Sequence, residues 1–331
     1  MVLSDTTFER LPLPPGVFGP ESLAFDLKGG GPYTGVSDGR ILKYQGPSLG
    51  FKDFAYTSPN RSKAVCDGAS DPNLQATCGR PVGIGYYYRT GELYIADAYY
   101  GLLVVGPDGG PATQLATGTE GVPFQFLDAL DVDQGTGVIY FTEASARFQI
   151  SEIVLALALG DNSGSLYKYD PRTKEVTVLL TGLALAGGVA VSKDGTFVLV
   201  SEFLANRIRR VWLKGPKANT SEIFLQLQGA PDNIKRNSKG EFWVAVNNLY
   251  GLVNDIRGVI LRPSPTPPIS LPSSMPSLSP EGLRVNEEAA ILQVVSLPEE
   301  YGLEEVSEVQ ELDGALYVGS LFASYAAIVR P

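Results

Sequence analysis

A short pattern of hydrophobic and polar positions recurs along the chain. Each copy begins with a turn that contains glycine, continues with four or five residues in which aromatic and β-branched side chains alternate, and ends at a polar residue. The copies lie at residues 31–36, 90–97, 136–143, 194–202, 239–245 and 313–319, the first being the weakest. Such alternation after a glycine turn predicts β-strands, so the pattern indicates six similar strand units.

Each copy follows a short apolar strand and precedes further strand-like stretches, such as residues 164–169 and 175–180. Four strands joined by turns form the blade of a β-propeller. Six units at irregular spacing therefore predict an all-β fold, a six-bladed β-propeller that forms one domain over residues 1–331. Two segments depart from the pattern: residues 151–159 predict a short helical insertion, and the Pro/Ser-rich residues 263–280 predict a flexible loop.

The amino-acid composition excludes several classes of catalytic site and partner. Hydrophobic residues make up 44% of the 331 residues and charged residues 19%, which is typical of a globular chain. The chain contains no histidine, which excludes catalytic triads and zinc sites that depend on imidazole and leaves Asp, Glu, Lys and Tyr for acid–base chemistry. The net charge of −10 argues against a nucleic-acid partner. The longest apolar run, residues 153–159, is too short to span a membrane, so no membrane partner is expected.

The cysteines and the glycosylation motifs indicate the cellular compartment in which the protein is expected. Cys66 and Cys78 lie in a loop-like stretch and form either a short disulfide loop or two free thiols. Sequons at Asn60 and Asn219 predict glycosylation, and together with the cysteine pair they favour an oxidising compartment. Residues 1–5 lack the basic and apolar regions of a signal peptide, so we expect the signal of a secreted protein to be missing from this sequence.

The geometry of a propeller predicts where a site would lie. Its innermost strands converge on a central channel, so the residues just before these strands should face one cavity. They are Glu21, residues 80–82, Asp128, Gly187, Asp232 with Asn233, and Ser307. Three carboxylates and an amide suit Ca²⁺; alternatively, these groups pair with backbone amides, with each other or with Arg80. Without a cation, the pKa values of such carboxyl groups should be raised.

Several stretches resemble strictosidine synthase and its plant relatives. They are residues 41–47, 51–56, 78–80, 110–117, 120–124, 201–208, 232–237 and 317–322, and the resemblance extends over about residues 19–329. It implies a six-bladed propeller, a disulfide between Cys66 and Cys78, and a plant protein of specialised metabolism. It also implies alkaloid-type chemistry, a vacuolar or secreted location and a small-molecule substrate. A closed propeller exposes few strand edges, so we expect a monomer.

The resemblance also implies a reaction and its residues. Strictosidine synthase condenses an amine with an aldehyde, and a glutamate ahead of a Gln-Glu-x-Asp-Gly motif handles the amine proton. Alignment on residues 310–314 places Ser307 at that position and Glu305 at a histidine position. Asp128 takes the place of a pocket tyrosine. A serine hydroxyl cannot replace a carboxylate base at neutral pH.

We therefore expect an enzyme, of lyase or cyclase type, that carries out an amine–carbonyl condensation or a related cyclisation other than strictosidine formation and needs no cofactor. The predicted catalytic positions are Asp128, Glu305 and Ser307. The predicted substrate-binding residues are Phe126, Leu185, Phe203 and Tyr99.

Two alternatives stay open. More distant propeller relatives, the paraoxonases and gluconolactonases, are calcium-dependent hydrolases. The resemblance to them implies Ca²⁺ ligands at Glu21, Asp128, Asp232 and Asn233, although the asparagine expected at Gly187 is missing. Such an ester or lactone hydrolase would use Asp128 or Asp232 as base or nucleophile. The second alternative is a non-catalytic binding or defence protein.

Overall fold

The computed structural model describes residues 7–247, 280–297, 301 and 305–330. Strands dominate it. In chain order they are β1 (Thr7–Pro12), β2 (Leu23–Ala24), β3 (Tyr33–Gly35), β4 (Arg40–Tyr44), β5 (Phe51–Tyr56), β6 (Pro81–Tyr87), β7 (Glu92–Asp97), β8 (Gly101–Val105), β9 (Gly110–Pro111), β10 (Thr113–Ala116), β11 (Gly118–Thr119), β12 (Val122–Pro123), β13 (Phe126–Val132), β14 (Ile139–Ser145), β15 (Gly164–Asp170), β16 (Glu175–Leu183), β17 (Ala186–Val191), β18 (Phe197–Glu202), β19 (Arg207–Trp212), β20 (Ser221–Gln226), β21 (Ala230–Arg236), β22 (Phe242–Asn247), β23 (Glu281–Val285), β24 (Ile291–Ser296), β25 (Glu308–Leu312), β26 (Ala315–Gly319) and β27 (Tyr325–Arg330). The helices are α1 (Lys63–Cys66), α2 (Gln75–Cys78) and α3 (Ile153–Leu159), with 3₁₀ turns at Pro72–Leu74, Ile150–Glu152 and Phe203–Ala205.

The strands form six blades around a central axis, which confirms the predicted six-bladed propeller. In chain order the blades are β2–β5, β6–β8 with β10, β13–β16, β17–β20, β21–β24, and β25–β27 with β1. Neighbouring strands within each four-stranded blade are antiparallel; β9 adds a short parallel pairing to β5, and β11 and β12 form a separate hairpin. The innermost strands β2, β6, β13, β17, β21 and β25 pack beside one another in that order.

The two ends of the described chain close the ring. Strand β1 pairs with β27 from Thr7 opposite Arg330 to Pro12 opposite Tyr325. Leu11 of β1 is buried in a cluster that also contains Ala326. The last blade is therefore built from both ends of the sequence, which leaves no gap between the first and last blades.

The core lies between successive blades. Within β18, Val198 and Val200 pack into the cluster shared with the preceding blade, whereas Phe197 and Leu199 pack into the cluster shared with the next blade. Because both faces of this strand are buried, its sequence is a continuous apolar run from Phe197 to Val200.

Glycine lets the innermost strands approach closely. A Cβ atom on Gly83 would lie 2.5 Å from the main-chain oxygen of Asp128 on the next blade, and one on Gly188 would lie 2.4 Å from the Cα atom of Asn233. Larger residues at these positions would push the strands apart. The glycines thus hold the site-bearing backbone of adjacent blades in contact.

Two predictions about irregular segments can be compared with the structure. The helical insertion is present as a 3₁₀ turn and α3, which ends at Gly160 in the left-handed conformation (φ 66°). The stretch around the cysteines, predicted as a loop, also contains α1 and α2. Of the predicted flexible loop, residues 263–279 lie outside the described residues. Among the described helices, none has the length and apolar character needed to cross a membrane.

The cysteines form the disulfide that the resemblance implies, with both residues buried. The bond ties α1 to α2 immediately before the innermost strand β6. Asn60 and Asn219, the predicted glycosylation sites, are exposed. Glycosylation itself stays a prediction.

Replacing both cysteines, Cys66→Ser with Cys78→Ser, should lower the free energy of unfolding by about 3 kcal/mol, because the open chain regains the entropy of the short loop. Urea unfolding monitored by tryptophan fluorescence measures the change. Wild-type protein in reductant serves as the control and should match the variant. An unchanged midpoint in both samples would contradict the prediction.

Candidate functional site

In four of the innermost strands, the pairing register with the next strand of the blade shifts part-way along the strand. The pairing register shifts at Pro81/Gly83 in β6, between Leu127 and Leu130 in β13, at Ala186/Val189 in β17 and at Pro231/Ile234 in β21. A β-bulge takes residues out of the ladder and redirects their side chains. Asp128, Gly187, Asp232 and Asn233 lie within these intervals. The prediction that these residues lie just before their strands is wrong, because they lie within the strands, where the pairing register shifts.

A cavity of about 140 Å³ lies beside these shifted stretches of the innermost strands. Its carboxyl groups come from Glu21, Asp128, Asp232 and Glu305. The rest of its lining is Phe126, Ala144, Ile153, Val154, Leu157, Leu185, Gly187, Phe203, Leu321 and Phe322. The cavity therefore combines a cluster of acids with an apolar wall, which can hold a ligand that has a polar reacting centre and an apolar body.

Most of the predicted site residues meet in this cavity. Asp128 and Glu305 line it, and so do the predicted wall residues Phe126, Leu185 and Phe203.

Three predicted residues are not part of the lining. Ser307 is fully buried, and its hydroxyl donates a 2.5 Å hydrogen bond to the main-chain oxygen of Glu21. Tyr99 packs against the apolar cluster that contains Phe126. The Asn233 amide donates a 2.6 Å hydrogen bond to Glu21 Oε1. Ser307 and Asn233 therefore support Glu21 from behind the cavity.

The acids of the cavity perturb one another. Burial, reinforced by the charge of Glu305, raises the pKa of Asp128 to about 7, against the opposing effect of Arg80. Burial and the charges of Glu305 and Glu21 raise the pKa of Asp232 well above its usual range. Burial also raises the pKa of Glu305, which shares a hydrogen bond with Asp232. Two carboxyl groups can share such a bond only if one is protonated, so Asp232 keeps its proton and donates it to Glu305.

The carboxyl group of Glu21 is subject to opposing charges and has a hydrogen-bond partner on only one of its oxygens. Burial and the charge of Asp128 raise its pKa well above the usual range, and Arg80 opposes this rise. Its Oε1 accepts from Asn233, whereas Oε2 is buried without a hydrogen-bond partner in the described part of the chain. The Asn233 amide and the charges of Arg80 and Lys235 are therefore what offsets the cost of a negative charge on Glu21.

Glu308 is not part of the cavity lining. Its carboxylate accepts hydrogen bonds of 2.8 Å from the Ser22 hydroxyl and from the Leu23 amide, and Lys235 Nζ lies 3.2 Å from it. Glu308 is therefore neutralised outside the site. It is no substitute for the base missing at Ser307.

The predicted Ca²⁺ ligands do not fit a metal ion as they are arranged. Within residues 7–247, 280–297, 301 and 305–330, no group of three or more His, Cys, Asp or Glu residues is placed to hold one. Asn233 turns its amide donor towards Glu21, whereas a Ca²⁺ site needs its oxygen. Gly187 contributes no side chain at the remaining position.

Sequence reasoning missed two features of the site. The first is the Asp232–Glu305 hydrogen bond, which joins residues 73 positions apart in the chain and carries no sequence signal. The second is the contribution of α3, whose Ile153, Val154 and Leu157 line the cavity. The apolar run 153–159 was visible in the sequence, and its lack of a polar face could have indicated a helix that covers an apolar site.

Comparisons with known proteins show which family the chain belongs to. Residues 128–216 match the family model "Strictosidine synthase", and residues 6–44 match "Strictosidine synthase-like, N-terminal". Protein STRICTOSIDINE SYNTHASE-LIKE 10 from Arabidopsis thaliana is 47% identical, over 95% of this chain and 85% of that protein. Strictosidine synthase from Catharanthus roseus is 42% identical, over 94% and 83%.

Solved structures show the same fold at low identity. A gluconolactonase from Xanthomonas campestris has a TM-score of 0.64 at 12% identity, over 99% of this chain and 90% of that one. Regucalcin from Agrobacterium tumefaciens, a calcium-binding protein, has a TM-score of 0.61 at 14% identity, over 97% and 92%. These two likenesses concern the fold alone. The plant relatives are far more similar in sequence over nearly the full length, and on that evidence the chain belongs to the strictosidine synthase-like family.

Proposed function

We propose that this protein is an enzyme of plant specialised metabolism that joins an amine to a carbonyl compound, or carries out a related cyclisation, in its central cavity. The product is one other than strictosidine. The observation that carries the proposal is the convergence of four carboxyl groups on one apolar cavity. The likeness to a strictosidine synthase over most of both chains supports this reaction class.

The charge balance at the axis favours a cationic reactant. Five carboxyl groups, four in the cavity and Glu308 beside it, lie near the two cations Arg80 and Lys235. Glu21, Asp232 and Glu308 are buried, and Asp128 and Glu305 are half-buried. If all five were ionised, the unmatched negative charge would be very unfavourable at low dielectric. A protonated amine or an iminium ion would neutralise part of that charge, and the aromatic wall at Phe126 and Phe203 would cover its apolar body.

The proposed reaction needs a base and an acid. An ammonium group must lose a proton before its nitrogen can attack the carbonyl carbon. Asp128, with a pKa of about 7, is partly ionised at neutral pH and can accept that proton. Attack forms a C–N bond and a hydroxyl group on the former carbonyl carbon. That hydroxyl leaves as water when it receives a proton, which the Asp232–Glu305 pair holds.

Loss of water leaves an iminium ion between the acids. A carbon nucleophile of the same substrate then forms the second bond to the iminium carbon, and the proton that this carbon gives up returns to a carboxylate. The neighbouring negative charges stabilise the cation as it forms. One of the two protons that are released is consumed when the hydroxyl leaves as water, and the other returns from Asp128 to the nitrogen of the product. No external oxidant or reductant is needed.

The first test is a mass-spectrometric screen of aryl-ethylamines with aldehydes. Asp128→Asn should lower the rate of product formation by about 10²–10⁴-fold, because general acid–base catalysis contributes that much. Asp108→Asn, the same substitution in an exposed turn, is the matched control and should keep the wild-type rate.

The same screen includes esters and lactones with and without chelator. Hydrolysis that depends on Asp128 and is lost with chelator would replace the proposal with the calcium-dependent hydrolase. Silence of folded wild-type protein in both panels would leave the binding or defence role.

The raised pKa of Asp128 also predicts a pH dependence of stability. Between about pH 4 and pH 7 the folded protein binds a proton at Asp128 that the unfolded chain has lost, so stability falls as the pH rises. In the wild type, the free energy of unfolding should be lower at pH 8 than at pH 4.5, and the part of this difference that is due to Asp128 should be at most about 4 kcal/mol. Asp128→Asn should remove that part. Urea unfolding of wild type, Asp128→Asn and Asp108→Asn at both pH values measures it. Parallel behaviour of all three proteins would show that Asp128 titrates normally.

A further inference from the structure

Arg80 places a fully buried guanidinium group at the base of the acid cluster. Only 1% of the residue is exposed. Its Nη1 donates hydrogen bonds to the main-chain oxygens of Gly19 (3.0 Å) and Pro81 (3.3 Å), and Nη2 has no hydrogen-bond partner among the described residues. Within that part of the chain no carboxylate oxygen lies within 4.0 Å, so the charge of Arg80 is not consumed by a close ion pair.

The charge of Arg80 acts on the site acids. Among the carboxyl groups, Glu21 acts most strongly on Arg80, followed by Asp97 and Asp128. In return, Arg80 lowers the pKa values of Glu21 and Asp128 against the effect of burial. An arginine side chain stays protonated at any pH at which the protein folds, so this positive charge is permanent.

The surrounding structure holds Arg80 in place. Its main-chain amide donates a 2.9 Å hydrogen bond to Asp97 Oδ2, which also accepts a 2.6 Å bond from the Thr57 hydroxyl. The preceding residue, Gly79, has φ 92°, and a Cβ atom there would lie 2.1 Å from Thr57 Oγ1. Cys78, two residues before Arg80, is anchored by the disulfide. The guanidinium group is therefore a fixed part of the axis.

We propose that Arg80 is the resident cation of the central channel and does for these acids what a bound divalent ion would otherwise do. The acid cluster then functions without metal. This role of Arg80 is electrostatic and is independent of the reaction proposed above.

Two features support this role over a metal ion. A divalent cation beside Glu21 would be repelled by the guanidinium charge, which cannot leave. In addition, Glu21 Oε1 and the Asn233 amide already satisfy each other, so a metal would have to break that hydrogen bond and turn the amide around. The second cation near the axis, Lys235, forms an ion pair with Glu308 and donates a hydrogen bond to the Ser22 hydroxyl. Arg80 thus acts on Glu21 more strongly than Lys235 does, and it also acts on Asp128.

The first experiment uses wild-type protein and the metal alone. Protein treated with chelator and then given 1 mM CaCl₂, on the order of 100-fold above a typical sensor-site Kd, should keep the same melting temperature within about 1 °C. Metal analysis after purification should find less than about 0.1 calcium per chain. One tightly bound calcium per chain, with a fall in melting temperature on chelation, would overturn the proposal.

The second experiment tests Arg80 itself. Arg80→Met removes the charge and keeps much of the side-chain volume. The titration midpoint of Asp128, followed by carboxyl ¹³C NMR with Asp128→Asn for assignment, should rise by roughly one pH unit. Arg89→Met, an exposed arginine, is the control and should leave the midpoint unchanged. A midpoint that does not move in Arg80→Met would overturn the proposal.

Arg80→Met could fail to fold because Glu21 loses its counter-charge. The comparison is then made in a Glu21→Gln background, which removes that carboxylate. The Asp128 midpoint should be higher in Glu21→Gln with Arg80→Met than in Glu21→Gln alone, and equal midpoints would reject the role of Arg80. Neither readout uses enzyme activity, so failure here is distinct from failure of the proposed reaction.

Discussion

Buried carboxyl groups that crowd one axis with few cations are the constraint on which this site depends. Glu21, Asp128, Asp232 and Glu305 share one cavity, and burial raises the pKa of each of them. The molecule relieves the repulsion in two ways. A proton is held between Asp232 and Glu305, and a guanidinium group lies behind Glu21. What remains is a cavity that is short of positive charge, and this is the property that a cationic reactant would use.

The propeller fold brings the acids together. Ring closure by β1 and β27 holds six innermost strands against one another, and glycines such as Gly83 and Gly188 let adjacent strands touch. Bulges in these strands then turn Asp128 and Asp232 towards the channel. Closed sheets, close approach and local irregularity are each ordinary features of β-structure. Their combination at one level of the axis produces the site.

The propeller fold of this chain also occurs in proteins that differ widely from it in sequence. Its fold is shared with a gluconolactonase and with a calcium-binding regucalcin at 12–14% identity. At its own axis, however, an asparagine amide is turned towards Glu21, and Arg80 supplies a permanent positive charge. Function on such a scaffold is decided by the few side chains that reach the channel.

The sequence by itself determined the repeating strand pattern, the six blades and the helical insertion, because period-two alternation and glycine turns are local signals. It also excluded histidine chemistry outright. Only the resemblance to strictosidine synthase implied the cavity residues Phe126, Phe203 and Glu305. Only the tertiary structure decided that Asp232 bonds to Glu305, that Ser307 lies behind Glu21, and that Arg80 faces the acids without a close ion pair. These relations join residues far apart in the chain. They depend on bulge positions and on burial, and a pKa follows from the three-dimensional distribution of charge and water, which no local pattern records.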